Sequence, residues 1–565
     1  MVTEQVDIVS PETGTGKMNR RRFVAGAAAA AAAANLGGLA IPWAKAQDAQ
    51  DNADGGQSNG ERRANKSFEI RKKAAARERQ VPIPAHPTNG DEARFADKCG
   101  TFTKCLPHDN FGRVEPSAFE SFLDALNSGK AADFENITMG LGRKLVNPQA
   151  GLCFDLEGTD SAQLSVPPPP SAASAAYAAE LIELYWGSLL RDVPFTQYGS
   201  SPLAAEAAAE LSSLPAFVGP RNSSGQITPD LLFRGSFPGE TVGPYISQFF
   251  ITPTNLGAQP ISQKQVTYLP NIDYMTDFNS WLDVQNGGAS GLINQADPQM
   301  RYMHSGRDLA AWTHVDVLDQ AYFVAFLVMG TLGVPTNPGC PYNNSRTQIG
   351  FGTFGGSHAS GLIGEVAYRA LERSWFQKWF VHRRTRPEGG GGIVHLVKTG
   401  QGSKTTCTPD STLLKSSAVL HTFNKYGSFL LPQAFPEGSP AHPSYPTGHG
   451  VVAGACITAL KFFFDGNHVI QNPLVPSDDG SSLAPFTGPA RLTVNGELNK
   501  LGHNVSFGHG IHAGIHYRSD TDSSLMLGEA VALSIFEDQA QTFNERFTIN
   551  ITKFDGTITT ISNER

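Results

Sequence analysis

The chain has 565 residues, 40% of them hydrophobic and 34 of them Phe, enough apolar material for a large core and a length compatible with up to about four domains. Its 44 basic and 52 acidic residues leave a net charge of −8 with no long basic stripe, which argues against a nucleic-acid partner. The six cysteines form no CxxC, so neither a zinc finger nor a disulfide scaffold is read; one or two bridges stay open, with Cys99 and Cys105 the nearest pair in sequence.

At the N-terminus, Asn19-Arg20-Arg21-Arg22-Phe23-Val24 precedes an Ala-rich apolar run over residues 25–41, and Ala44-Lys45-Ala46 has the small-x-small form of a cleavage site. Residues 1–46 are therefore expected to be a twin-arginine export signal, delivering the protein to the periplasm or the exterior. No stop-transfer pattern follows, so no membrane span is expected once the signal is removed. Residues 47–90 are polar, charged and poor in aromatics, and predict a flexible linker or arm. The folded body is expected over 91–565.

Helical periodicity then recurs over 117–127, 172–192, 274–284, 307–329 and 357–384. It returns over 448–464, 495–516 and 522–543, and the alternation of 547–561 around Asp555-Gly556 predicts a hairpin. The expected class is mostly α: a multi-helix bundle with long loops and minor β-hairpins, its size compatible with two stacked four-helix bundles.

Three stretches carry chemistry. In the first, Lys378-Trp379-Phe380-Val381-His382-Arg383-Arg384-Thr385-Arg386-Pro387, the proline ends the helical run and leaves Arg386 at a helix end. Arg grips two oxygens of an anion at once and Lys serves as a point charge. Taken alone, the stretch reads equally as a solvated basic face at a helix C-terminus. In the second, Pro446-Thr447-Gly448-His449 opens a buried helix whose first amides point at anions. Gly448 allows close backbone approach, the Thr447 hydroxyl adds a donor, and His449 suits general acid–base work; the alternative is a Thr cap with an incidental His. In the third, His516-Tyr517-Arg518-Ser519-Asp520, a hydrogen bond from one ring nitrogen of His516 to Asp520 leaves the other nitrogen as nucleophile or ligand, though a surface His–Asp pair has the same spelling.

Lys-x7-Arg-Pro, Pro-x-Gly-His and His-x3-Asp in this order resemble the vanadium-dependent haloperoxidases and the related type-2 phosphatidic acid phosphatases, from about residue 100 onward. Seven residues between Lys378 and Arg386 resemble the algal bromoperoxidase branch; the phosphatases more usually have six. The resemblance implies vanadate as cofactor, with His516 its single protein ligand. Lys378, Arg386, Thr447 and the Gly448 amide would bind its oxygens, and His449 would handle a proton. It implies oxidation of halide by hydrogen peroxide to hypohalous acid, which halogenates a small organic acceptor. His442, where the chloroperoxidases have phenylalanine, favours bromide and iodide. Trp375 and Trp379 are candidates for lining the halide pocket, and a homo-oligomer, dimer or larger, is expected. The rival readings are an acid phosphatase with a phosphohistidine at His516, and a degenerate anion-binding relative.

Two positions depart from the family pattern. Thr447 stands where Ser is usual. Gly510 stands where an arginine is expected six residues before His516, a loss worth roughly 1.5–3 kcal/mol of anion binding. His509, beside Gly510, is expected to stand in when protonated, which would make anion affinity steep in pH near neutrality. His509, His512 and His516 would share one face of a helix, so a three-histidine divalent-metal site is a further reading.

Overall fold

The computed structural model describes residues 59–564; the expected export signal lies outside them. Residues 78–564 form one body, and the preceding described residues belong to a separate unit. All of α1 (Asn59–Glu78) but its last residue belongs to that unit; it is a helix, although the segment reads as a flexible arm. Its Ala, Lys, Arg and Glu are strong helix formers, and this local propensity prevails over the lack of a hydrophobic pattern.

The body is built from α2 (Pro116–Ser128), α3 (Ala175–Leu189), α4 (Pro202–Ser213), α5 (Phe278–Gln285), α6 (Gly306–Val315) and α7 (Gln320–Thr331). It continues with α8 (Gly356–Phe376), α9 (Pro387–Lys398), α10 (Ser417–Tyr426), α11 (Gly448–Phe463), α12 (Val494–Phe507) and α13 (Arg518–Ala540). Three antiparallel hairpins pair β1 (Thr254–Leu256) with β2 (Gln259–Ile261), β3 (Leu474–Pro476) with β4 (Leu483–Pro485), and β5 (Thr548–Thr552) with β6 (Ile558–Ser562). The mostly-α class and the last hairpin agree with the sequence reading.

Start and stop signals set most boundaries. Pro116 opens α2 and Gly129, at φ 63, closes it. Ser174 caps α3 by accepting from the Tyr177 amide, and Ser305 and Asp308 form a capping box on α6. The expected helix 307–329 is instead two, α6 and α7, because the chain turns extended at Asp316. Helix α9 escapes a periodicity search since four of its twelve residues are glycine.

Helix α11 is the hub. All its residues except His449 are buried. It packs against α8, α12 and α13. A Cβ on Gly454 would lie 2.1 Å from the Leu525 carbonyl oxygen, and one on Gly528 would lie 1.9 Å from that of Val451. The two glycines thus let the backbones of α11 and α13 touch. The packing aligns one end of each helix. The last turns after α8 (Gln377–His382) and after α12 (Gly508–His512) are π-helical, wider than an α turn. The N-termini of α11 and α13 open at the same place.

Several histidines are locked into this packing uncharged. His512 sits among Phe195, Phe233 and Tyr245, with Nε2 2.9 Å from the Tyr245 hydroxyl. Burial drives its pKa down to about 3; burial likewise holds His382 at about 3 and His108 at about 4. An exposed histidine titrates near 6.5. The unfolded chain therefore binds protons below about pH 6.5 that the folded chain refuses, so the stabilisation is complete above that pH and drains away toward the folded values. Urea unfolding should show the unfolding free energy, and with it the midpoint, falling as pH drops from 7 to 4.5; the free energy should fall by up to about 1.4 kcal/mol per pH unit per histidine, and less steeply in His512→Phe. A midpoint flat over that range would contradict the assignment.

Candidate active site

Every catalytic or cofactor-binding residue expected from the sequence converges on the aligned helix ends. The π turn after α8 carries Lys378. The chain then reverses at Arg383 (φ 43), pairs Arg384 with Thr101, and reaches Arg386, the residue before Pro387 at the start of α9. Lys378 is fully buried, and its ammonium donates to the carbonyls of Pro443 at 2.7 Å and Ser444 at 2.8 Å. Arg386 donates to the carbonyls of His442 (2.8 Å) and Ile515 (2.9 Å) and to the rings of His442 (3.0 Å) and His516 (2.8 Å).

His516 precedes α13 rather than lying in it, yet meets Asp520 as expected: Nδ1 is 2.9 Å from Oδ2. The same carboxylate accepts from the Tyr517 amide at 3.1 Å and from Ser444 Oγ at 2.5 Å. Its other oxygen accepts from Arg384 at 2.6 Å, and Arg384 is held in turn by Glu180 at 2.9 Å and by the face of Tyr517 at 3.8 Å. With Nδ1–H given to Asp520, Nε2 keeps the lone pair that accepts from Arg386.

At the start of α11 the Thr447 amide donates to Ser524 Oγ at 2.8 Å, while the Thr447 hydroxyl is buried with no partner. A buried hydroxyl left unpaired is costly and marks a place for a missing acceptor. His449 Nε2 lies 3.1 Å from Asp316 Oδ1, and its ring lies tilted against that of His509, centroids 3.9 Å apart. His509 is 5.7 Å from the His516 ring, and its Nδ1 is also buried and unpartnered.

The electrostatics are lopsided. Burial first, then Arg386, push the Lys378 pKa well below its usual value, partly opposed by Asp520. Burial lowers Arg386 to about 10, opposed by Glu388, Asp520 and Tyr517. Burial, reinforced by Arg386 and Lys378, depresses His516 and His442 as well. The nearby carboxylates are already engaged: Asp520 as above, and Glu388 by Lys104 at 2.6 Å and Ser439 at 2.7 Å. Such a cluster of donors and cations short of negative charge fits a tetrahedral oxyanion such as vanadate or phosphate.

Three expectations need correction. His509 does face the site, but burial, with His449, His516 and Arg386 nearby, drives its pKa well below the usual value. It offers the N–H of a neutral ring rather than the charge of the missing arginine. His512 does not share its face: the π turn rotates it into the Tyr245 pocket, and among the described residues no group of three His, Cys, Asp or Glu is placed to hold a metal cation. Of the two tryptophans, which share one core cluster, Trp375 packs on His442 at 4.8 Å and lies beside Lys378, whereas Trp379 is buried between Phe102 and Phe122. Sequence reasoning also missed Asp316, Arg384 and Ser444. Arg384 sits inside the first motif stretch and Ser444 two residues before the second; no spacing rule points to Asp316.

A family profile described as the VCPO second helical-bundle domain matches residues 418–545. A vanadium-dependent bromoperoxidase of Ascophyllum nodosum is 37% identical over 519 residues, covering 88% of this chain and 92% of that protein. One from Corallina officinalis is 35% identical over 553 residues, covering 83% and 92%. The solved homohexameric structure of the second vanadate-dependent bromoperoxidase from Ascophyllum nodosum matches with a TM-score of 0.84 at 31% identity, covering 89% of this chain and 91% of that one.

The orphan hydroxyl gives a direct test. Thr447→Val keeps the shape and removes a group that nothing in the protein satisfies, so Tm should hold. Affinity for vanadate, measured by calorimetry, should fall by about 0.5–1.5 kcal/mol, a few-fold to tenfold. Unchanged affinity would place the anion elsewhere.

Proposed function

The chain belongs to the vanadium-dependent bromoperoxidase family, and on that premise we propose that the cluster between Lys378 and Asp520 is its vanadate site, serving the oxidation of bromide by hydrogen peroxide. Vanadate is the cofactor; when bound, it acts as a Lewis acid that activates peroxide for attack by halide, at constant metal oxidation state. The hypobromous acid released halogenates a small organic acceptor.

The chain's own residues divide the remaining work. His516 offers Nε2 as the single protein ligand, its ring fixed by Asp520 and, behind it, Arg384. Lys378, Arg386, the Thr447 hydroxyl and the Gly448 amide would surround the oxyanion, and the unpartnered Nδ1 of His509, its ring 5.7 Å from that of His516, would add a further donor. His449 gives Nε2–H to Asp316, which leaves Nδ1 as the basic atom that takes and returns a proton. His442, packed on Trp375 and hydrogen-bonded to Arg386, lines the side from which halide approaches. The observation that carries this reading is the pairing of uncompensated buried cations with an unsatisfied Thr447 hydroxyl at the N-terminus of α11.

Purified protein should brominate a phenolic dye only with vanadate, peroxide and bromide all present. His449→Ala should lower kcat by about 10²–10⁴. Phosphate-ester hydrolysis without bromination would assign the site to phosphoryl transfer instead. Silence in both assays with no vanadate binding would mean that Gly510 has disabled it. The homohexameric relative supports a homo-oligomer here too; light scattering should give a mass at least twice that of one chain, and a monomer would refute this.

A further inference from the structure

Behind Arg384 and Arg386 the chain folds two cysteines toward each other. Residues 98–102 run alongside 383–385: the Phe102 amide donates to the Arg383 carbonyl at 2.7 Å, and the Thr385 amide donates to the Gly100 carbonyl at 3.2 Å. The same segment is fastened to the loop after α9. Asp97 accepts from the Thr406 amide at 2.7 Å and from the Thr405 hydroxyl at 2.9 Å. These bonds bring Cys99 and Cys407 into one corner of the fold: the Cys99 amide donates to Asp97 at 3.3 Å, and the Cys407 amide donates to the same Thr405 hydroxyl that Asp97 holds, at 3.2 Å. Both are free thiols, Cys99 half-buried and Cys407 buried. A cavity of about 50 Å³ lies against Cys99, lined also by Thr101, Thr385, Arg386 and Thr405, large enough for a small oxidant. Nearby, the Tyr177 hydroxyl meets that of Tyr517 at 2.9 Å, and Tyr517 lies under Arg384.

We propose that Cys99 and Cys407 form an oxidative modification site, cross-linked to a disulfide by the hypobromous acid the enzyme itself releases. The oxidant rests on the function proposed above; the juxtaposition of the thiols does not. In the first step bromine passes from oxygen to the Cys99 sulfur, and the thiol proton joins the hydroxide to leave as water. In the second the Cys407 sulfur displaces bromide, forming the S–S bond and releasing its proton. The two sulfurs lose two electrons, and the bromine of hypobromous acid gains them.

Hydrogen peroxide is the weaker agent here. It reacts with thiolates, and the Cys407 partner and burial both push the Cys99 pKa far up, so little thiolate forms. Hypobromous acid is a far stronger electrophile, so the scarce thiolate reacts with it much faster than with peroxide. The nearest cysteine in sequence, Cys105, is not the partner: it lies buried beside Lys104 and Arg143. The cross-link would join two segments far apart in sequence and brace the wall behind Arg384 and Asp520. It also spares both sulfurs from irreversible over-oxidation.

The test uses the reduced full chain carrying Cys153→Ser, which removes the exposed competing thiol. Hypobromous acid is added directly without vanadate, so the result does not depend on catalysis. Alkylation and peptide mapping should show the loss of two thiols and one linked pair containing Cys99 and Cys407. The same dose of peroxide should give far less. The oxidised protein should melt at a higher Tm, and dithiothreitol should reverse the rise; Cys99→Ser should show neither cross-link nor shift. Cys99 found joined to another cysteine, or both thiols still open to alkylation after unfolding, would overturn the proposal. The mapping needs no change at either position, so a variant that fails to fold leaves it decisive. Failure of the bromination assay with success here would separate the two readings.

Discussion

The structure turns on buried positive charge with too little negative charge to meet it. Lys378 and Arg386 are held out of water, and their hydrogen bonds run to backbone carbonyls and histidine rings instead of carboxylates. Carbonyl dipoles replace part of the lost hydration but supply no counter-charge, so the folded chain carries a standing demand for an anion. The rest of the body is arranged to sustain this. Helix α11 is buried almost all round, and its glycine contact with α13 holds the four helix ends in one place.

A second layer makes the site rigid. Asp520 does not neutralise the cluster; it is shared among His516, Ser444, the Tyr517 amide and Arg384. Arg384 is in turn fixed by Glu180 and Tyr517. The order Glu180, Arg384, Asp520, His516 is a chain of alternating charge that ends on a neutral imidazole. His449 has its own carboxylate in Asp316, from a different part of the sequence. The two histidines that handle ligand and proton are thus oriented independently, so a change in one carboxylate need not disturb the other ring.

Much of this was legible in the sequence where the chemistry is local. Pro387 fixes the position of Arg386, Thr447-Gly448-His449 announces a helix start, and His516 reaches Asp520 over four residues. What stayed hidden depends on departures from regular periodicity or on distance along the chain. The 3.6-residue period places His509 and His512 together, but the π turn separates them, one to the site and one to the Tyr245 pocket. Helix α9 is masked by its glycines and held by packing. Asp316 looks like one more polar residue within a long helix until the chain breaks there. Cys99 points to Cys105 by proximity, and only the backbone pairing of residues 98–102 with 383–385, with Asp97 tied to Thr405 and Thr406, shows otherwise.

The π turn that carries Lys378 has a bearing on how such sites diverge. A π turn accommodates one more residue than the α turn it interrupts. The interval from Lys378 to Arg386 begins within the widened turn Gln377–His382. The additional residue is absorbed as a local bulge, so the lysine and the arginine still face the same point. Two chains whose lysine-to-arginine spacing differs by one residue can then present the same pair of cations, as two windings of one helix end. Passage between them requires a single-codon insertion or deletion, with no rebuilding of the bundle.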